Sequence, residues 1–219
     1  YKFKWENDFS KIRNLSLKKA TKEWILVLDA DEVIAKEDHE EIKRLTEDAS
    51  YAGYSLKQVS YTNDLKSYGF TPIEKVDNYT RGYCGYIPCN MVRLFKNSKE
   101  IKFEGVVHES VDYSAENQDP IKETRIKIHH YQFSKGAENQ REKQLKYLEI
   151  YEKNISNYKN KARAYRDMGV ICYQFKRDYK KAEEYLKMSL ELNKNNPKTY
   201  VALALLQLSL SNHERAIET

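Results

Sequence analysis

Apolar and polar positions along the chain follow two different periods, one in each half. In DFSKIRNLSLKKATKEW, Ile12, Leu15 and Ala20 fall near one face of a helix, with Asp8 or Ser10 standing where an N-cap belongs. The run WILVL that follows is aliphatic and β-branched, which predicts a short strand buried on both faces. A second helix is predicted over AKEDHEEIKRLTEDA, acidic at its start as the helix dipole prefers. YAGYSLKQVSYT then alternates in the manner of a strand, and NMVRLFKN, IKFEGVVHESV and TRIKIHHYQF are also of strand type. Between the first and second of these lies DLKSYGFTPIEKVDNYTRGYCGYIP, rich in Tyr and without clear period. Loops of that length usually cover or bind something.

From about Asn139 the period becomes helical. NQREKQLKYLEIYEKNI spaces Leu145, Leu148 and Tyr151 on one face, and an internal repeat follows. Its first copy carries Tyr165, Met168, Gly169, Tyr173, Tyr179, Ala182, Leu186 and Pro197; the second begins with Tyr200, Leu203 and Ala204 and reaches Ala216. Ala182 and Ala216 are 34 positions apart, and the unit resembles a tetratricopeptide repeat, apart from one extra residue between Gly169 and Ala182. Small residues at such positions let two antiparallel helices approach closely. Tyr165, Tyr173 and Tyr200 match packing positions of the repeat, so core is favoured over a peptide-binding groove for them. The reading divides the chain into an α/β domain over 1–134 and an all-α repeat region over 135–219 whose second copy is truncated.

Composition removes some function classes. The 219 residues carry a formal net charge of +5 with 32% charged side chains, but the lysines are spread along amphipathic segments. A solvated helix face explains them better than nucleic-acid binding, for which an aromatic–basic motif is lacking. No stretch approaches the ~18 apolar residues needed to span a bilayer, and no signal peptide is visible. The three cysteines, Cys84, Cys89 and Cys172, form neither a zinc pattern nor a disulfide framework and read as reduced thiols of a cytoplasmic protein. The start at Tyr1 and the stop inside an apolar-periodic segment at Thr219 read as cuts through a longer protein.

One feature is chemically costly. The apolar run Trp24–Leu28 ends in Asp29, Asp31 and Glu32. On a regular strand Asp29 and Asp31 would share a face and converge, an arrangement that calls for a divalent cation. Oxygen ligands suit Mg2+ or Mn2+. The triplet alone is equally read as solvated acids capping the next helix.

The order of blocks goes further. WENDFSKIRN, ATKEWILVLDADE, RLFKN, FEGVVHE and HHY together resemble the glycosyltransferase family 2 branch that carries C-terminal tetratricopeptide repeats, across nearly the whole chain. The resemblance implies a partial GT-A fold, with a Rossmann-like mixed sheet, and a hexosyltransferase that moves a sugar from a nucleotide-sugar donor to an acceptor hydroxyl with inversion. It implies Asp31 as a direct ligand of Mn2+ or Mg2+, Asp29 as its assistant or a ribose partner, and His130 rather than His129 as a further metal or pyrophosphate ligand. It places Arg13 and Asn14 beside the nucleotide and makes Glu109 the base that takes the acceptor proton. Each has a plainer reading: a solvated helix face for Arg13, a salt bridge to Arg93 or Arg81 for Glu109, a backbone-satisfied ring for His130. On a strand His129 and His130 face opposite ways, so at most one can enter the site.

The same resemblance exposes a gap, since the family's first strands, with the nucleobase pocket, should precede Tyr1. The remaining sheet is expected to show an unprotected edge, which another copy of the chain in a homo-oligomer could cover. The acceptor stays open between a glycan, a lipid-linked sugar and a protein, and the place of action between the cytoplasm at large and a peripheral position at the inner face of the membrane. The rival reading is a non-catalytic tetratricopeptide module that binds a protein partner and carries a vestigial acidic strand end.

Overall fold

The computed structural model describes residues 2–65, 67, 69–131 and 137–210. It divides into two compact units, one of Tyr1–Glu104 with His108–Gly136, the other of Gly105–Val107 with Ala137–Thr219.

The first unit is built on a mixed sheet. Helix α1 (Phe9–Leu17) opens at Asp8, whose carboxylate accepts the Lys11 N–H. Strands β1 (Trp24–Leu26) and β2 (Glu32–Ile34) flank a tight turn, and α2 (His39–Glu47) follows a 3-10 turn at Lys36–Asp38. Then come β3 (Gly53–Thr62), the short β4 (Thr71–Pro72), β5 (Gly85–Lys96), α3 (Asp112–Glu116) and β6 (Ile121–His130). The strand order is β1-β5-β3-β6-β2, with β4 also on β5. β3 and β6 run parallel, while β1–β5, β2–β6, β3–β5 and β4–β5 are antiparallel. An α/β unit is what the patterning predicted, and a mixed sheet is what the resemblance implied.

Both faces of the sheet are covered. On one, Ile34, Tyr54, Leu56, Leu94, Ile126 and Ile128 pack with Leu45 and Ile42 of α2. On the other, Val92, Phe95, Phe103 and Val111 pack with Leu17 of α1 and Ala115 of α3. A β-bulge interrupts the β3–β5 pair: Tyr54 faces Leu94 but Ser55 faces Val92, so Arg93 is the extra residue.

Three local expectations are corrected. WILVL is not a strand buried on both faces: only Trp24–Leu26 is strand, and it pairs on one side, with β5, so Leu26 remains 37% exposed. IKFEGVVHESV is not a strand either. Gly105 at φ 102° and His108 at φ 52° break the extended run, and a single bridge between Glu104 and Ser110 closes it into a loop. The segment without period holds β4 and the first third of β5, hidden because Gly85, Pro88, Cys89 and Asn90 give no alternation.

In the second unit, α4 (Ala137–Asn154) buries Leu148 and Tyr151, and α5 (Lys161–Ile171), α6 (Tyr179–Leu192) and α7 (Pro197–Ser209) each start at an Asn or Asp N-cap. α5 and α6 are antiparallel neighbours: a Cβ on Gly169 would lie 2.7 Å from Leu186 Cγ, and Ser189 Oγ donates to the Ala162 carbonyl at 2.7 Å. The extra residue between Gly169 and Ala182 coincides with a π turn at Cys172–Lys176, the usual way a helix absorbs an insertion. Tyr165 and Tyr173 are half-buried, whereas Tyr200, favoured as core, is 37% exposed; Thr199, Ala202 and Leu206 form the buried side of α7. Ala216 lies outside the described residues. Among the described helices none is long and apolar enough to cross a membrane.

Candidate functional site

The first unit gathers its polar side chains at one end of the sheet. Along one face of β3 the row Tyr54 and Leu56 gives way to Gln58 and Ser60, and along β6 Ile126 and Ile128 give way to His130. On β2 Ile34 is matched by Glu32. Three apolar rows thus end together in polar groups.

The Asp29–Glu32 segment sits over that end as a turn, closed by the Glu32 N–H donating to the Asp29 carbonyl at 3.0 Å. Because strand geometry stops at Leu26, the two aspartates do not share a strand face, and their carboxylates find different partners. Asp29 accepts from Arg13 Nη2 at 2.6 Å and lies 3.5 Å from Arg93 Nη2. Asp31 faces His130, Oδ1 to Nε2, at 3.7 Å. The answer to the clustered acids is therefore arginine as much as any cation.

Glu32 is the deepest member. Its side chain is fully buried, and it accepts from Arg93 at 2.9 Å, from the Asp29 N–H at 2.8 Å and from the Gln58 amide. Glu109 reaches the cluster from the loop after Gly105: Arg13 Nε donates to its Oε1 at 2.5 Å. The partner of Glu109 is Arg13, not the Arg93 or Arg81 considered from the sequence; Arg81 stacks on Tyr131 at 3.9 Å. Glu109, Arg13, Asp29, Arg93 and Glu32 form one chain in which acids and guanidiniums alternate.

Electrostatics follow from this order. Burial alone would raise the Asp29 carboxyl, but Arg13 and then Arg93 outweigh it and hold Asp29 below the usual range. Burial tends to lower the Arg13 guanidinium, yet Asp29 and Glu109 raise it. Burial pushes His130 down, against the pull of Asp31, Glu32 and Asp29, so the ring is neutral near pH 7. Its Nδ1 is 2.9 Å from Ser60 Oγ; the tautomer that donates to Ser60 leaves an Nε2 lone pair on the Asp31 side.

Asn14, expected beside the nucleotide, lies off the cluster, and so does His129, which the resemblance sets aside in favour of His130. Asn14 spends its amide on the backbone of Phe103, accepting its N–H at 2.8 Å and donating to its carbonyl at 2.9 Å, and so ties α1 to the loop that carries Glu109. His129 turns away from His130 into a tyrosine cluster, 2.7 Å from the Tyr61 hydroxyl and stacked on Tyr79.

No cluster of three or more His, Cys, Asp or Glu side chains with metal-holding geometry occurs among the described residues. Asp31 and His130 offer one oxygen and one nitrogen, the sparse protein set used where waters and phosphates complete the shell. Four carboxylates against two guanidiniums also leave this end of the sheet negative.

No family model matches the chain. It is 31% identical over 106 residues to the SPbeta prophage-derived glycosyltransferase SunS of Bacillus subtilis (strain 168), which is 48% of this chain and 21% of that protein. The same match is made to glycosyltransferase SunS of Bacillus phage SPbeta. A TPR repeat-containing protein of Synechococcus elongatus is 27% identical over 228 aligned positions, 98% of this chain and 51% of that protein. The chain thus spans about a fifth to a half of the length of these relatives. It shares sequence with a glycosyltransferase and with a repeat protein.

Four members of the site carry no assigned role in the sequence alone: Glu32, Gln58, Ser60 and Arg93. Glu32 was visible as a third acid but had no role, since its burial depends on Arg93. Gln58 and Ser60 were legible as the polar end of an alternating strand, and Arg93 only through its bulge.

Proposed function

We propose that the first unit is part of the catalytic domain of a glycosyltransferase of the GT-A, family 2 type, which moves a sugar from a nucleotide donor to an acceptor hydroxyl with inversion. The observation that carries the reading is the approach of Asp31 to His130, two residues about a hundred positions apart that β2 and β6 bring to one end of the sheet. Similarity to a glycosyltransferase supports the chemistry.

In this reading Asp31 and His130 hold Mn2+ or Mg2+, and Asp29 stands beside them on Arg13 and Arg93. The cation supplies charge stabilisation for the departing nucleoside diphosphate. Arg13 holds Glu109 by one carboxylate oxygen and leaves the other, Oε2, to take the acceptor proton as the oxygen attacks the anomeric carbon. Neutral His130, fixed by Ser60, keeps its lone pair available. Asn14 sets the loop that presents Glu109.

The test follows the histidine ring protons by NMR during a manganese titration of wild type, Asp31→Ala and His130→Gln. Broadening centred on His130 and lost in Asp31→Ala is expected. Broadening that survives in Asp31→Ala, or none in a folded chain, would sink the metal assignment. Retained sugar transfer by Asp31→Ala in the full-length protein would do the same.

A second reading, a repeat module that binds a protein partner without catalysis, is favoured by the similarity to a repeat protein along 98% of the chain. It expects no metal-dependent nucleotide binding.

A further inference from the structure

Three acids within four residues need more than a cation to keep them in order. A fully buried carboxylate such as Glu32 is costly unless its oxygens are filled. Here they are filled, by Arg93 at 2.9 Å and the Gln58 amide on one oxygen and by the Asp29 N–H at 2.8 Å on the other. Arg93 reaches Asp29 with the same Nη2 at 3.5 Å. The Glu32 N–H returns a bond to the Asp29 carbonyl. The turn is therefore closed twice, once by backbone and once by the Glu32 side chain, with Asp31 beyond the reach of either arginine.

Arg93 is where it is because of the bulge. Its carbonyl accepts the Val27 N–H at 2.9 Å, which keeps β1's exit against β5, while the extra residue lets its side chain join Glu32 although Leu94 next to it packs with the same core face. Bulges re-aim side chains beside sites in this manner.

We propose that Arg93, aimed by the bulge and seated on Glu32, is a positioning residue that presets the Asp29–Glu32 turn and draws the Asp29 carboxylate away from Asp31 before any ligand arrives. The kinetic part of this inference rests on the transferase reading; the structural part does not. Two charges would then be sorted in advance, Asp29 to the arginines and Asp31 to His130. A ligand would meet a finished arrangement and need not order the turn itself.

The test measures amide exchange in the full chain, without metal or donor, in wild type, Arg93→Met, Arg93→Lys and Gln58→Leu. Exchange at Asp29 and Glu32 is compared with Leu56 and Leu94 as reporters of the sheet. Arg93→Met is expected to speed exchange at the turn at least tenfold more than at the reporters, Arg93→Lys to restore part of the protection, and Gln58→Leu to cost a few-fold. If Arg93→Met does not fold, Arg93→Lys and Gln58→Leu carry the comparison. Turn exchange that changes only in step with the reporters would overturn the proposal, because Arg93 would then support the sheet and nothing more local. In the full-length enzyme, Arg93→Lys should lower kcat at least tenfold with donor KM changed less than threefold; the reverse split would assign Arg93 to donor binding instead. A loosened turn in a protein that binds no manganese would refute the metal reading and leave this one standing.

Discussion

Removing Arg13 asks whether the Glu109 carboxylate is held or merely nearby. The Glu109 side chain is 9% exposed and the Arg13 side chain 27% exposed, with 2.5 Å between Nε and Oε1. Breaking a wholly buried pair costs about 3–5 kcal/mol, because the survivor keeps its desolvation without its partner. Arg13 is open enough to water to reduce that, so Arg13→Met is expected to destabilise the first unit by about 2–3 kcal/mol. Glu109→Gln removes the charge that needed compensation, and the double variant should lose less than the sum. The expected coupling is about 1.5–3 kcal/mol, read from urea unfolding of the two single variants, the double variant and wild type. The same cycle on Lys11 and Glu6, 3.0 Å apart but 60% and 54% exposed, should show no coupling beyond error. A coupling below about 0.5 kcal/mol between Arg13 and Glu109 would refute the reasoning, since it would mean that water, not Arg13, satisfies the carboxylate.

Asn14→Leu strips both hydrogen bonds from the Phe103 backbone and should cost about 2–3 kcal/mol by the same urea assay, with an unchanged midpoint showing that the loop finds other partners. In the second unit, Gly169→Ala forces a methyl to 2.7 Å from Leu186 Cγ, so overpacking should outweigh the better helix propensity by about 1–2 kcal/mol and lower the thermal midpoint; a raised midpoint would show that α5 and α6 can part. Burial holds His129 and His130 below the ordinary value of 6.5, so the unfolded chain binds protons that the fold refuses. Stability of the first unit should be complete above about pH 6.5 and fall as pH drops below it. Urea midpoints at pH 7.5 and 5.5 check this, and a flat profile through that range would contradict the burial of both rings.

The elements with a clean period were legible from the sequence. Asp8 as N-cap, β3 as a strand and the opposite facing of His129 and His130 all follow from local rules and recur in the structure. Trp24–Leu28 misled because a run of aliphatic residues looks the same whether a strand is covered on both sides or pairs on one, and Leu26 shows the second case. The acids misled for a related reason. Their spacing assumed that the strand continued, whereas a turn at Asp29–Glu32 sends Asp29 to Arg13 and Asp31 to His130. Arg93 was beyond any periodic rule, since a bulge is a mismatch between two strands and neither strand carries its signature alone. Tyr200 shows the limit of repeat arithmetic: a matching position fixes a place on a helix, and the burial there depends on what the neighbouring helix supplies.

The pairing of β2 with β6 has a consequence for how the molecule comes into being. Asp31 leaves the ribosome about a hundred residues before His130, and the strand that carries His130 lies between β3 and β2. Until β6 slots into that gap, β2 has no partner in the sheet, Ser60 has no ring to hold and Asp31 has no His130 to face. Contacts so distant in sequence close slowly. The pair is thus a late event in synthesis, and a chain interrupted anywhere in the long tyrosine-bearing segment would possess Asp29, Asp31 and Glu32 but neither Glu109 nor His130. Protection of the His130 amide in a pulse-labelling experiment would mark the moment at which the first unit is finished.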